Sequence, residues 1–118
     1  MKKHTLDHIP HHDTRRWAYF LNGIGEELVE EPIDWKQMKL AERLSGVCKF
    51  ISTTAGPPLT ITLYFCDGYD DALNIAKANL LPDTSGAKWN VNGSVMYLVE
   101  TENREKLSEI LGFFAGKE

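Results

Sequence analysis

The sequence predicts an α+β fold: a two-layer sandwich in which helices cover a three- or four-stranded, mostly antiparallel sheet, with a helical pair at the N-terminus. Two observations favour this class. Residues 59–66 alternate without fault between the two sides of a strand. Residues 87–100 hold two apolar runs around Asn92-Gly93, the pair that a tight hairpin turn prefers. Most other apolar residues recur at helical spacing, so we expect helices as the second layer.

Size and composition fit a single domain at residues 13–118. The chain has 118 residues, of which 42% are hydrophobic and 25% charged, enough for a core without a disulfide or a structural metal. No apolar run approaches the roughly 20 residues that span a bilayer, and no signal-peptide segment follows the two initial lysines. The two cysteines lack zinc-type spacing and should stay reduced. We therefore expect a cytoplasmic protein with no cofactor and no membrane partner.

The charge argues against a nucleic-acid partner. The formal net charge is -4, whereas phosphate binding needs a concentrated positive surface. Residues 17–34 hold five carboxylates and neither lysine nor arginine. We interpret these carboxylates as the solvated side of the fold, with an acidic face for a basic partner as the alternative.

Residues 1–12 predict a flexible N-terminal arm, because they show no periodicity and Pro10 would interrupt a helix. The arm contains the four histidines of the chain, its densest group of potential metal ligands. Their spacing matches no zinc fingerprint, so a solvated arm is favoured over a metal site. The weak candidate ligands are His4, His8, His11 and His12.

Two helices are predicted after the arm. Asp13 is placed to cap the first, whose apolar stripe starts at Trp17 and is interrupted by Gly23. The second starts at Asp34 and ends just before Gly46, a residue type that suits the position just past a helix. The apolar stripe of this second helix consists of Trp35, Met38, Ala41 and Leu44.

The rest of the chain alternates strands and helices. Residues 47–54 fit both a helix and a strand, and the strand is slightly favoured by their aromatic and β-branched side chains. A helix follows Asp67 and is stopped by Pro82, and a last helix is capped by Asn103. We expect both of these helices to pack on the sheet face that carries Trp89.

The hairpin predicts which side chains share a face. If Asn92 and Gly93 form the turn, Trp89 lies opposite Met96. The second strand is apolar on both faces, which is typical of a central strand. Its other face carries Val95, Tyr97 and Val99.

No motif of known catalytic chemistry is present, so the first hypothesis is a non-enzymatic domain that binds a protein partner or a second copy of itself. The predicted interaction face lies on the sheet, with covering by the two N-terminal helices as the alternative. It comprises Tyr64, Val95, Tyr97 and Val99. The second hypothesis is a small-ligand pocket between sheet and helices, lined by Tyr64, Trp89 and Tyr97.

The third hypothesis is an enzyme that uses Cys66 as its nucleophile. Cys66 ends a strand just before a helix N-terminus, whose dipole favours a thiolate. No histidine follows His12 to act as a base, and neighbouring carboxylates raise the pKa of a thiol. We therefore expect an inert thiol. The carboxylates are Asp67, Asp70 and Asp71.

Overall fold

The computed structural model describes residues 4–25, 27–52 and 56–116. The longest helix has 11 residues, and none in the described part of the chain is long and apolar enough to cross a membrane. The helices are α1 (Thr14–Gly23), α2 (Tyr69–Ala78) and α3 (Arg104–Phe114). The strands are β1 (Val29–Glu31), β2 (Leu44–Ser52), β3 (Leu59–Cys66), β4 (Ala87–Asn92) and β5 (Val95–Glu100).

The five described strands form one sheet in the order β1-β2-β3-β5-β4, and each neighbouring pair is antiparallel. The predicted α+β class is confirmed, with five strands rather than three or four. β5 lies inside the sheet, as its two apolar faces predict. A strand is also confirmed for residues 47–52, whereas residues 53 and 54 lie outside the described residues.

Helices cover both faces of the sheet. Helices α1 and α3 pack on the face that carries Phe50, Leu63 and Tyr97. Helix α2 packs on the opposite face, against Tyr64 and Met96. The expectation that α2 and α3 share the Trp89 face is therefore wrong. Since α2 already occupies that face, the apolar stripe of α3 is buried against the aromatic side chains of the other.

The second helix of the predicted N-terminal pair is absent from the described residues. Two 3₁₀ turns, Trp35–Gln37 and Ala41–Arg43, take its place. Leu40 separates them with a left-handed φ of 61°, which no helix tolerates. Strand β2 begins at Leu44, which pairs with Cys66. The residues expected to form the last turn of the helix therefore belong to the sheet.

The expected flexible arm is packed against the domain over residues 4–12. Leu6 and Ile9 are buried in the core on the α1 side. A Cβ on Gly46 would lie 3.1 Å from Cγ2 of Ile9, so the glycine allows this close approach rather than ending a helix. Two buried side chains are enough to attach residues 4–12 to the core, and such a segment needs no regular apolar spacing.

The hairpin turn consists of Gly93 and Ser94, one residue later than predicted, and Trp89 therefore faces Leu98. Gly93 has a φ of 66°, and Ser94 is not among the described residues with positive φ, a pattern typical of a type II′ turn. The shift moves the pairing by two positions, which preserves the face of every side chain. The predicted faces of the hairpin are thus correct although its register is not.

Candidate functional site

The four residues of the predicted interaction face do not lie on one face. Tyr64 pairs with Met96 and therefore points to the α2 side, away from Tyr97. Tyr64 is 5% exposed and the other three are fully buried. The prediction of an exposed face is wrong, because α1 and α3 cover the three residues on their side. These are Val95, Tyr97 and Val99.

The predicted pocket is not formed by its three residues either. Tyr64 and Trp89 belong to the α2 side, and the whole sheet separates them from Tyr97. Burial, with a smaller effect from Glu100, raises the pKa of Tyr64 to about 12. Burial also raises the pKa of Tyr97, whose hydroxyl donates to the Leu111 carbonyl at 3.4 Å. Both phenols are neutral groups of the core.

The four histidines make different contacts. The His4 ring lies edge-on to Phe50, and Nε2 of His8 lies 3.1 Å from Glu30 Oε2. The rings of His11 and His12 are stacked with centroids 4.3 Å apart. Within the described ranges, no three His, Cys, Asp or Glu side chains are grouped so that they could hold a metal ion.

His11 holds the N-terminal segment against the sheet. Its Nδ1 accepts the Asp13 amide hydrogen at 3.1 Å, and its Nε2 lies 3.0 Å from the Cys66 carbonyl oxygen. Because an amide only donates and a carbonyl only accepts, these bonds suit the tautomer with its hydrogen on Nε2. The same nitrogen lies 3.1 Å from Ser94 Oγ. His11 therefore contacts the Cys66 backbone rather than its thiol.

The Cys66 side chain lacks the surroundings of a nucleophile. It is fully buried, and its Sγ lies 3.5 Å from the Tyr64 carbonyl oxygen. Burial, followed by the nearby charges of Asp71 and Asp67, raises the pKa of Cys66 to about 12. The thiol is therefore protonated at neutral pH, where a nucleophile needs the thiolate.

A further candidate site is a groove that the sequence reasoning missed. It lies between β4 and α3 and has a volume of about 250 Å³. Leu107 and Leu111 are one helical turn apart and provide apolar surface, beside Arg104 and Ser108 at the same spacing. The remaining lining residues are Ser85 and Lys88. The one signal in the sequence was the apolar stripe of α3, because Leu107 and Leu111 belong to it and also line the groove.

β4 forms an edge of the sheet beside this groove. Because Asn92 and Val95 flank a two-residue turn, the alternating ladder points the backbone groups of residues 87, 89 and 91 away from β5. Thr84 N–H donates to the Ala87 carbonyl at 2.6 Å, and Val91 N–H donates to Asn90 Oδ1 at 2.8 Å. Among the described residues, none bonds to the outward N–H and C=O of Trp89, so this part of the edge is open.

The groove is positively charged. Lys88 Nζ lies 3.4 Å from Asp83 Oδ1 in an exposed pair, and the Arg104 guanidinium has no hydrogen-bond or ion-pair partner in the described part of the chain. Arg104 is the first residue of α3, where a positive charge opposes the helix dipole. Helix stability therefore gives no reason for a cation at this position.

No protein-family model, curated protein or solved structure matches this chain. The fold and the groove together define an α+β domain with an open edge strand beside a cationic, partly apolar cleft.

Proposed function

We propose that this chain is a non-enzymatic protein-interaction domain of the cytosol that binds an extended segment of a partner protein along β4. The observation that carries the proposal is the open edge of β4 beside the α3 groove. A chain added to this edge would bond to the N–H and C=O of Trp89. Its alternate side chains would point to the α3 face, where Lys88 and Asn90 also lie, and one of them would fill the groove.

The two edges of the sheet differ in a way that supports β4 as the binding edge. β1 has three residues and carries Glu30 and Glu31, and short, charged edge strands resist pairing. β4 has six residues, and its one guarded amide is that of Val91. The guard is the side chain of Asn90, which is exposed and free to rotate away when a partner strand arrives.

A second copy of the chain is a less suitable partner than a foreign segment. A twofold pairing of β4 with β4 would bring Lys88 and Arg104 of one copy towards the same cations of the other, and like charges oppose this contact. A free small ligand is also less suitable, since ligand pockets usually enclose about 300 to 1,000 Å³. The groove is smaller and suits one side chain of a longer segment.

Two further observations support the other parts of the proposal. Both cysteines are buried free thiols, which fits the reducing cytosol. Cys66, the nucleophile of the enzyme hypothesis, is buried and protonated, and this weakens that hypothesis.

Selection of peptides from a displayed random library tests the proposal. We expect the protein to retain a family of seven-residue peptides, and the backbone amide signals of Trp89 and Val91 to shift in NMR spectra when such a peptide is added. Ser108→Trp should fill the groove and weaken binding at least about tenfold, which corresponds to about 1.4 kcal/mol. Glu109→Trp is the matched control, because Glu109 is exposed on the same helix but does not line the groove.

The proposal fails if no peptide is retained, or if Ser108→Trp and Glu109→Trp bind the retained peptides equally well. Amide shifts confined to α2 would also contradict it, because that helix lies on the opposite face of the sheet.

A further inference from the structure

We infer that the segment bound beside β4 carries an acidic side chain, and that Arg104 is the residue that selects it. This inference rests on the proposed function and adds the chemistry of the partner. It follows from the charges of the groove rather than from the open edge of the sheet.

The groove combines two cations with an apolar floor. Arg104 and Lys88 line it together with Leu107 and Leu111, and among the described residues that line it none is a carboxylate. An extended segment with an acidic and an apolar side chain on its α3 face complements both parts. Arginine binds a carboxylate through two parallel N–H···O bonds, which fixes the orientation of the bound group as well as its charge.

Arg104 and Lys88 differ in how freely they can act. Lys88 already lies 3.4 Å from Asp83, although the two side chains are 48% and 68% exposed and such exposed pairs contribute little to stability. The Asp83 carboxylate lowers the positive potential on that side of the groove. Arg104 has no such partner among the described residues, so it is the stronger anion-binding group of the two.

The two carboxylates of α3 lie outside the groove. Glu105 and Glu109 lie on the same helix, but neither lines the cavity. The exposure of Arg104 also makes its contribution sensitive to salt, because a charge pair at the surface is screened over about 8 Å at physiological ionic strength.

Parallel selections test the inference. A library of random seven-residue peptides is displayed inside a loop, so that no peptide has a free C-terminal carboxylate, and is selected on the wild type, on Arg104→Glu and on Lys77→Glu. Lys77→Glu makes the same change of charge on α2, on the opposite face of the sheet. Melting curves establish that the variants are folded before selection.

We expect Asp or Glu at one fixed position in the peptides selected by the wild type and by Lys77→Glu. Arg104→Glu should select Lys or Arg at that position, and should bind the wild-type peptides about 10- to 100-fold more weakly, the range for hydrogen bonds to a charged group. Replacing the acidic residue of the peptide by lysine should restore binding to Arg104→Glu.

The alternatives separate the inference from the proposed function. If Ser108→Trp weakens binding of the selected peptides but these peptides share no position with Asp or Glu, the inference is wrong and strand addition at β4 still stands. If no peptide is retained, both are wrong. A protein that sediments alone as a dimer and becomes monomeric with Ser108→Trp would put a second copy in the groove and overturn the acidic partner.

Discussion

Asn92, the last residue of β4, donates from Nδ2 to the carbonyl oxygen of Phe114, the last residue of α3, at 2.8 Å. The last carbonyls of a helix lack partners within the helix, so this bond satisfies one of them. The Oδ1 of the same side chain accepts from Arg16 on α1 at 3.0 Å. One asparagine therefore joins a strand to both helices of one face.

We expect Asn92→Ala to lower the free energy of unfolding by about 1–3 kcal/mol, because it removes these hydrogen bonds and leaves polar groups unpaired. Urea denaturation measures the loss. Asn90→Ala is the matched control, since the Asn90 side chain bonds only to the neighbouring Val91 amide among the described residues. Equal losses for the two variants would show that Asn92 does not join the helices to β4.

Tyr97 provides a test of whether helices α1 and α3 cover the sheet. It is fully buried, and the centroids of the Trp17 and Phe114 rings each lie 5.4 Å from the centroid of the Tyr97 ring. We expect Tyr97→Arg to unfold the domain, because it buries a charge without a partner. Tyr97→Phe should cost about 1 kcal/mol, the loss of one hydrogen bond. Circular dichroism distinguishes these outcomes. If Tyr97→Arg is folded and sedimentation shows that its oligomeric mass differs from that of the wild type, the hypothesis of an exposed interaction face is restored.

Local sequence patterns were sufficient to predict the strand β3 and the β4–β5 hairpin. The strict alternation of residues 59–66 predicted β3, and the apolar faces of the hairpin survived an error in its register because that error was an even number of residues. β1 has three residues, too few for any period to be read. The turns around Leu40 were missed because helical spacing reveals neither the left-handed φ of Leu40 nor the start of β2 at Leu44.

The site depended on tertiary placement that the sequence does not contain. Tyr64 and Tyr97 were assigned to one face because the register between β3 and β5 was unknown, and that register separates them. Lys88 and Arg104 lie in different elements, and only the packing of α3 on the Tyr97 face makes them line one groove. The missing information was the register between two strands in the first case and the side of the sheet that α3 covers in the second.

The raised pKa of Cys66 gives a prediction for chemical labelling. At neutral pH we expect alkylation of Cys66 in the native protein to be far slower than that of a model thiol, because the thiol is buried and protonated. Unfolding in urea should restore the ordinary rate. Mass spectrometry after timed labelling identifies the modified residue, and fast labelling in the native state would restore the hypothesis of an activated nucleophile.

The same pKa shift predicts how stability depends on pH. Its folded pKa, about 12, lies above the ordinary value of 9.0, so the unfolded chain loses the Cys66 proton first as pH rises. The stabilising contribution is therefore complete below about pH 9 and is lost as pH approaches 12. Tyr64 has the same sign. We expect the free energy of unfolding to fall above pH 9, less steeply in Cys66→Ala, and a stability that rises there would contradict the burial of both groups.

Two neighbouring residues of β4 allow the open edge to be tested by proline substitution. The Val91 amide points away from β5 and bonds to the Asn90 side chain, whereas Asn90 pairs with Tyr97 and its own amide points into the ladder. Since proline has no N–H, Val91→Pro changes the outer edge and Asn90→Pro breaks the sheet.

We expect Val91→Pro to stay folded and to bind library-selected peptides at least about tenfold more weakly, because an added strand loses an amide donor and meets the proline ring. Asn90→Pro should instead lower the free energy of unfolding by about 1–3 kcal/mol. Val91→Ala separates the loss of the side chain from the loss of the amide. Fluorescence polarisation with labelled peptides and urea denaturation give the two measurements. If Val91→Pro is folded and binds as tightly as Val91→Ala, the partner does not add a strand at β4.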